Sequence, residues 1–177
     1  MRQKGFTLLE IMVVMAISGI LMVGIVVSIF HVVSATGRSN SHGVALTDVS
    51  QAALYLKKDF QMAQRTDMGF VEDPVVVVLS SENSVTLGWT DFTTPESEEE
   101  QMNHYVTYSL SGNGVLERAY DGILPTMIIG RHITYLRFTQ LDERAVNIVI
   151  TATGTQPQQY SKTIEFSVYM RSAGLPQ

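Results

Sequence analysis

The sequence predicts an α+β protein: one long N-terminal helix, with a transmembrane half and an amphipathic half, packed on an antiparallel β-sheet of about seven strands. Three observations predict this fold. The first 37 residues carry only three charges, a helical apolar stripe follows them, and alternating strand patterns begin after Asp73-Pro74. The length of 177 residues suits one domain with an appendage. The net charge of -5 argues against a sequence-independent nucleic-acid binder, and the absence of cysteine excludes disulfides and thiolate chemistry.

The first element is an apolar helix. From Ile11 to Val33 run 23 residues without Asp, Glu, Lys or Arg, about 35 Å of helix against a hydrocarbon core of about 30 Å. A cleaved secretory signal has an apolar core of only about 7–15 residues, so this run predicts a retained anchor. Arg2 and Lys4 precede it and Arg38 is the next charge after it, which favours a cytoplasmic N-terminus and an exported C-terminal domain.

A single carboxylate, Glu10, stands directly before the apolar run. Taken alone, it is an acid in the first helical turn, stabilised by the helix dipole by about 0.3–1 kcal/mol. The residues Gly5-Phe6-Thr7-Leu8-Leu9-Glu10 change this interpretation. With the basic leader before them and the apolar run after them, they resemble the class III signal of type IV pilins and type II secretion pseudopilins.

The resemblance implies processing and a role for each of these residues. A prepilin peptidase, an intramembrane aspartyl protease, would cleave after Gly5 and remove the leader charges Arg2 and Lys4. The new amine of Phe6 would then be methylated, with S-adenosylmethionine as the methyl donor. Glu10 would pair with the Phe6 amine of a neighbouring subunit in a filament, where scarce water makes an unpaired charge costly.

An amphipathic helical segment follows the anchor. Apolar residues recur there at helical spacing, at Leu46, Val49, Ala53, Leu56, Phe60 and Ala63. The opposite side carries Gln51, Lys58, Asp59 and Arg65. We therefore expect a nearly continuous helix from Phe6 to about Arg65, with a small, polar stretch at 34–41 where it could bend or fray. The domains are a leader at 1–5, a transmembrane and assembly helix at 6–33, the amphipathic half at 34–72 and a periplasmic β-domain at 73–177.

The β-domain follows Asp73-Pro74. Alternating or continuous apolar runs predict strands at Val75 to Leu79, Val85 to Thr90, Val106 to Leu110, Val115 to Tyr120, Ile133 to Leu141, Val146 to Ile150 and Ile164 to Met170. Gly112-Asn113-Gly114 predicts a hairpin turn. We expect a curved or two-part antiparallel sheet.

The β-domain also carries a second, looser resemblance. Its hairpin with Tyr108, Leu116 and Arg118, the strand at Ile133–Phe138 and the late Tyr169-Met170-Arg171 are similar to the body of minor subunits. These are the J-type pseudopilins of type II secretion and the W-type minor pilins, so the resemblance implies a minor subunit.

The remaining acidic, histidine and aromatic residues predict no catalytic or metal-binding site. Asp91 to Asn103 holds five acids, which predicts a solvated loop rather than the ordered oxygen cage of a Ca²⁺ site. The four histidines, His31, His42, His104 and His132, have no metal-binding spacing, and no nucleophile, phosphate-loop or dinucleotide motif occurs. Trp89, Tyr105, Tyr108 and Tyr120 serve strand cores as readily as binding. We therefore expect no catalytic residues, no bound metal and no cofactor, and we expect that the protein is not an enzyme. Binding of a calcium ion (Ca²⁺) is the lesser alternative.

The sequence therefore predicts a minor pilin or pseudopilin of the bacterial inner membrane, with a single pass and a periplasmic β-domain, that initiates or caps a filament. Its expected partners are other pilin subunits, the prepilin peptidase and methyltransferase, the inner-membrane assembly platform with its ATPase, and the lipid bilayer. Type II secretion, a type IV pilus and DNA uptake stay open. The alternatives are a membrane-anchored periplasmic enzyme with a chance leader, and an adhesion or binding module.

Overall fold

The computed structural model describes residues 7–68, 75–91, 102–121, 123–155 and 159–171. The chain forms two compact units, Met1–Ser39 and Asn40–Gln177. One long helix precedes nine strands in the described residues, which confirms the α+β class. The elements are α1 (Leu8–Met62), β1 (Arg65–Thr66), β2 (Val76–Val78), β3 (Ser84–Asp91), β4 (Met102–Leu110), β5 (Leu116–Tyr120), β6 (Ile123–Gly130), β7 (Ile133–Gln140), β8 (Ala145–Thr153) and β9 (Ser161–Tyr169).

The strands form two antiparallel sheets, as the two-part alternative predicts. The first sheet has the order β1-β3-β4-β5-β6 and the second the order β2-β7-β8-β9. All seven expected strands are present, and β1 and β6 are additional. β1 has only two residues, too few for any periodicity to show. β6 contains Pro125 within a nearly continuous apolar run, and Pro is tolerated there because β6 lies at a sheet edge.

The predicted hairpin joins β4 to β5, with Leu110 opposite Leu116. Gly114 adopts a φ of 75°, which glycine accepts without strain, and a Cβ there would lie 2.9 Å from the carbonyl oxygen of Ile133. The Ile133 N–H donates to the Gly114 carbonyl at 2.9 Å. The turn therefore ties the first sheet to β7 of the second sheet.

In the second unit, the α1 residues from Asn40 to Met62 pack one face on the core. The fully buried apolar residues of this face and the turn after it are Ala45, Val49, Ala52, Leu56, Phe60 and Ala63. The predicted stripe is wrong by one position at two places, since Leu46 is 40% exposed and Ala53 is half-buried. Ala45 and Ala52 take these places, each four residues before a buried residue of the same face, Val49 and Leu56.

The core lies between this face of α1 and the strands. Its largest fully buried side chains include Tyr108, Phe60 and Phe138. The rings of Phe60 and Phe138 stack with centroids 5.5 Å apart, which joins the helix to β7. The stretch at 34–41, where we expected a bend or fraying, is helical.

Candidate assembly site

The described chain begins at the residue before α1, and its first polar contacts form a helix cap. The Thr7 hydroxyl accepts from the Glu10 N–H at 3.3 Å, while the Glu10 carboxylate accepts from the Thr7 N–H at 2.9 Å and from the Thr7 hydroxyl at 3.1 Å. This is a reciprocal capping box, with Thr7 at the N-cap and Glu10 at the third helical position. Thr7 was not among the predicted site residues, although the Thr-x-x-Glu spacing from Thr7 to Glu10 is the sequence signature of this cap.

Gly5 and Phe6, the predicted cleavage and methylation residues, lie outside the described residues, as do Arg2 and Lys4. Glu10 is described, and it is exposed. Its carboxylate bonds only to Thr7 among the described residues. One oxygen of the carboxylate takes part in these bonds, so the other is open to a further donor.

The helix after Glu10 is apolar all round. The large apolar side chains from Ile11 to Val33 are between 47% and 74% exposed. Soluble proteins rarely expose such a continuous apolar surface, and large apolar patches mark protein or membrane contacts. The helix has an 18-residue window of mean hydropathy 2.7 with none of its residues buried. This single long apolar helix in the described chain fits a membrane anchor.

A different polar cluster lies inside the second unit, between α1 and the first sheet. Asp59 is 1% exposed and accepts two bonds from the Arg118 guanidinium, from Nε at 2.6 Å and from Nη2 at 3.1 Å. The Tyr108 hydroxyl donates a further, short bond to the same carboxylate. The expectation that Asp59 lies on the solvent face is wrong. It falls on the buried side because it is three residues after Leu56, and its charge is compensated by the Arg118 fork.

The environment of this cluster shifts the pKa of two of its members, Tyr108 and Arg118. Burial raises the pKa of Tyr108 far above its usual range, and the Asp59 carboxylate adds to the effect because a tyrosinate beside it would meet a like charge. The hydrogen bond to Asp59 raises the pKa of Arg118 more than burial lowers it. The Arg118–Asp59 ion pair and the hydrogen bond from the Tyr108 hydroxyl together fasten α1 to β4 and β5.

Two of the histidines pair with carboxylates. His104 Nδ1 lies 2.9 Å from Asp121 Oδ2, and His132 Nδ1 lies 2.7 Å from Asp48 Oδ2. The second pair joins the β6–β7 turn to α1. In the described part of the chain, no three His, Cys, Asp or Glu side chains are placed to hold a metal ion. Residues 92–101 of the acidic stretch lie outside the described residues.

The strand aromatics divide between core and surface. Tyr108 is buried, and Trp89 and Tyr120 pack against the core with ring centroids 6.0 Å apart. Tyr105 is 43% exposed, and the Arg65 guanidinium lies 5.3 Å from the centre of its ring.

An open cleft lies between the turns that follow β2, β4, β6 and β8. Its volume is about 690 Å³, and its lining includes Ser81, Asn113, Arg131 and Thr155, with buried Ile133 among the apolar residues. None of its lining residues is acidic, and its histidine, His132, is held by Asp48. Among the described residues, the hydrogen bonds of this lining include no nucleophile–base pair.

Comparison with known proteins gives a match at the N-terminus. The family model described as the prokaryotic N-terminal methylation motif matches residues 1–26. No curated protein and no solved structure matches the chain. The matched motif indicates an N-terminus like that of type IV pilin precursors, and it suggests a structural subunit rather than an enzyme. It covers the predicted processing residues, Glu10 and the first 16 of the 23 residues of the apolar run.

Proposed function

We propose that the chain is a minor pilin or pseudopilin, a structural subunit of a type II secretion pseudopilus, a type IV pilus or a DNA-uptake filament. It enters the inner membrane with its N-terminus in the cytoplasm and its β-domain in the periplasm. A prepilin peptidase cleaves after Gly5, and the Phe6 amine is methylated. The subunit then joins other pilin subunits on the assembly platform and initiates the filament or stands at its tip.

One observation carries this proposal: an apolar helix with its side chains exposed begins at a single carboxylate that has a free oxygen. The side chains of such a helix are shielded from water only in a bilayer or among other apolar helices. A carboxylate at its foot is costly there unless a cation pairs with it. The Phe6 amine of a neighbouring subunit is the proposed cation, and the match to the methylation motif supports it.

The pair acts chiefly as a register device. A subunit that is displaced along the fibre leaves a buried charge without its partner, and breaking such a pair costs about 3–5 kcal/mol. Methylation keeps the amine cationic, so it preserves the attraction. Loss of Arg2 and Lys4 with the leader removes the charges that would otherwise have to enter the apolar bundle.

Mass spectrometry of the membrane-bound protein tests the processing step. The mature chain should begin at Phe6 and carry one methyl group on its amine. A Gly5→Leu variant should keep the leader, because a branched side chain at the scissile bond obstructs the peptidase. An intact Met1 in the wild-type protein, or cleavage elsewhere, would overturn the proposed processing.

A further inference from the structure

One end of the β-domain holds the cleft between the turns that follow β2, β4, β6 and β8. Its volume of about 690 Å³ lies within the range of about 300–1,000 Å³ that is usual for small-molecule sites. Each of these turns contributes an exposed polar side chain to the lining, and we call these side chains the rim. The rim consists of Ser81, Asn113, Arg131, Thr155 and Gln159.

The rim side chains have no partners in the described chain, since none of them makes a hydrogen bond, ion pair or ring contact there. The backbone N–H groups of Gly112 and Asn113 also bond to no described residue. The turn that holds them is closed by the Gly114 N–H, which donates to the Ser111 carbonyl at 2.9 Å. Hydroxyl and amide side chains both donate and accept hydrogen bonds. The rim therefore offers unused hydrogen-bonding groups to a ligand that carries hydroxyls.

The lining carries positive charge without negative charge. Arg131 is permanently charged, and the described lining contains no Asp or Glu. Residues 156–158, which lie outside the described residues between two rim residues, are Gln, Pro and Gln and add no charge. Glu82 follows Ser81 in the sequence but does not line the cleft. The fork of N–H groups on an arginine matches a carboxylate or a phosphate, so the cleft favours an anionic ligand.

His132 adds a second nitrogen-bearing side chain to the lining, next to Arg131. Its Nδ1 lies 2.7 Å from Asp48 Oδ2 on α1, and its side chain is 33% exposed. This contact orients the imidazole ring and engages the Asp48 carboxylate, which does not itself line the cleft. The other ring nitrogen, Nε2, has no partner in the described chain and is available to a ligand.

The remaining lining distinguishes between classes of anion. It includes no Phe, Tyr or Trp in the described chain, so a nucleobase would find no such ring to stack on. The apolar side chains of the described lining, Leu79, Leu110 and Ile133, are buried and leave little apolar surface for an acyl chain. A sugar acid matches both features that are present, because its carboxylate suits the guanidinium and its hydroxyls suit the rim.

We propose that this cleft binds an acidic saccharide, with a sugar carboxylate on Arg131 and sugar hydroxyls on the other rim side chains. An acidic peptide would also meet Arg131, but its backbone offers one N–H and one C=O per residue, fewer hydrogen-bonding groups than the hydroxyls of a sugar ring. The proposal goes beyond the proposed function and does not depend on it, since a site on the β-domain can act whether or not the subunit enters a fibre.

Calorimetric titration of the full chain, solubilised in a detergent without a sugar headgroup, tests the ligand class with three trimeric probes. Tri-galacturonate carries carboxylates and hydroxyls, maltotriose carries hydroxyls only, and tri-glutamate carries carboxylates without hydroxyls. We expect tri-galacturonate to bind with a dissociation constant below about 1 mM, and the other two probes to bind at least about tenfold more weakly. Absence of tri-galacturonate binding would overturn the proposal. Equal binding of maltotriose or of tri-glutamate would also overturn it, because the cleft would then not read both groups.

Two arginine variants test the position of the site. Arg131 and Arg144 are both exposed, and they lie just before and just after β7, so Arg144→Gln is the matched control for Arg131→Gln. Arg131→Gln should weaken tri-galacturonate binding by about tenfold or more, the scale of one hydrogen bond to a charged group, and Arg144→Gln should stay within about twofold of the wild type. Both variants should melt near the wild-type temperature, since the two side chains are at the surface. Equal affinities of the two variants would overturn the site.

Asn113→Ala tests the hydrogen-bonding rim separately from the charge. This variant removes an exposed amide whose side chain has no partner in the described chain, so it should leave the melting temperature unchanged. We expect it to weaken tri-galacturonate binding by about threefold, the scale of one hydrogen bond between neutral groups. Wild-type affinity of Asn113→Ala would overturn the role of this amide in binding, and with it the choice of a saccharide.

Discussion

At the scale of single residues, Asp59 shows how much one buried carboxylate organises. It lies in the helix, and its partners Tyr108 and Arg118 lie on neighbouring strands. A buried ion pair adds little net stability by itself, but it penalises any arrangement in which one partner is left alone. The cluster therefore favours a single packing register of α1 on the first sheet, because any other register would separate Asp59 from Arg118.

Asp59→Asn should lower the free energy of unfolding by about 2 kcal/mol. This is less than the usual cost of breaking a buried pair because the Arg118 side chain is 16% exposed and water reaches it. Lys58→Ala, at the neighbouring exposed position, should change the free energy by less than about 0.5 kcal/mol. Denaturant unfolding of the detergent-solubilised protein measures both. Similar values for the two variants would show that the cluster does not hold the helix.

The raised pKa of Tyr108 predicts a loss of stability at alkaline pH. In the unfolded chain this tyrosine ionises near pH 10, whereas in the folded chain it stays neutral to higher pH. Its contribution is therefore fully present below about pH 10 and is lost as pH rises above that value. Melting temperatures from pH 8 to 11 should fall more steeply for the wild type than for Tyr108→Phe. Parallel curves would refute this.

At the scale of elements, the helix and most strands could be predicted from the periodicity of apolar residues. The exceptions depend on the environment of single residues. The long helix and seven strands follow from patterns of 3.6 and 2 residues. β6 was not predicted because Pro125 argues against a strand. Proline is tolerated in β6 because this strand lies at the edge of its sheet. Asp59 was predicted on the solvent side because a charge normally faces water, and its partners are 49 and 59 residues away in the sequence. Such pairings become visible only in the folded chain.

The helix and the β8–β9 loop meet without space for a side chain. A Cβ on Gly154 would lie 2.1 Å from the Ser41 carbonyl oxygen, and the Ser41 hydroxyl accepts from the Tyr160 N–H at 3.1 Å. Gly154→Ala should therefore lower the melting temperature by several degrees, since overpacking costs about 1–3 kcal/mol. Gly112→Ala, where a Cβ meets nothing within 4 Å, is the matched control and should stay near wild type. Equal melting temperatures would mean that this contact yields readily.

At the scale of the whole molecule, the chain combines two units that suit different surroundings, one apolar and one aqueous. The first, Met1–Ser39, is apolar along its helix, while the second, Asn40–Gln177, has its own core. The N-terminal motif and the apolar helix were recognisable because they depend on consecutive residues. The position of β9 at the end of its sheet in the described chain was not, since the sequence does not tell which strand stands last.

Removal of residues 1–37 should yield a soluble, β-rich protein, because the remaining chain keeps the buried core and 26 of the 29 charged residues. Circular dichroism and size-exclusion chromatography check the result. Aggregation of the truncated chain in the absence of detergent would show that the second unit depends on the first.

The charge of Glu10 provides the most direct test of the central claim, that this carboxylate pairs with the amine of the next subunit in a fibre. Glu10→Gln keeps a side chain that completes the cap with Thr7 but removes the charge, while Glu10→Ala removes both. The measurement is the fraction of the full-length protein recovered in sheared fibres, relative to the amount in membranes. The account predicts that both variants stay in the membrane and both lose incorporation by about tenfold or more. Normal incorporation of Glu10→Gln would contradict it, because the carboxylate would then serve only as a helix cap.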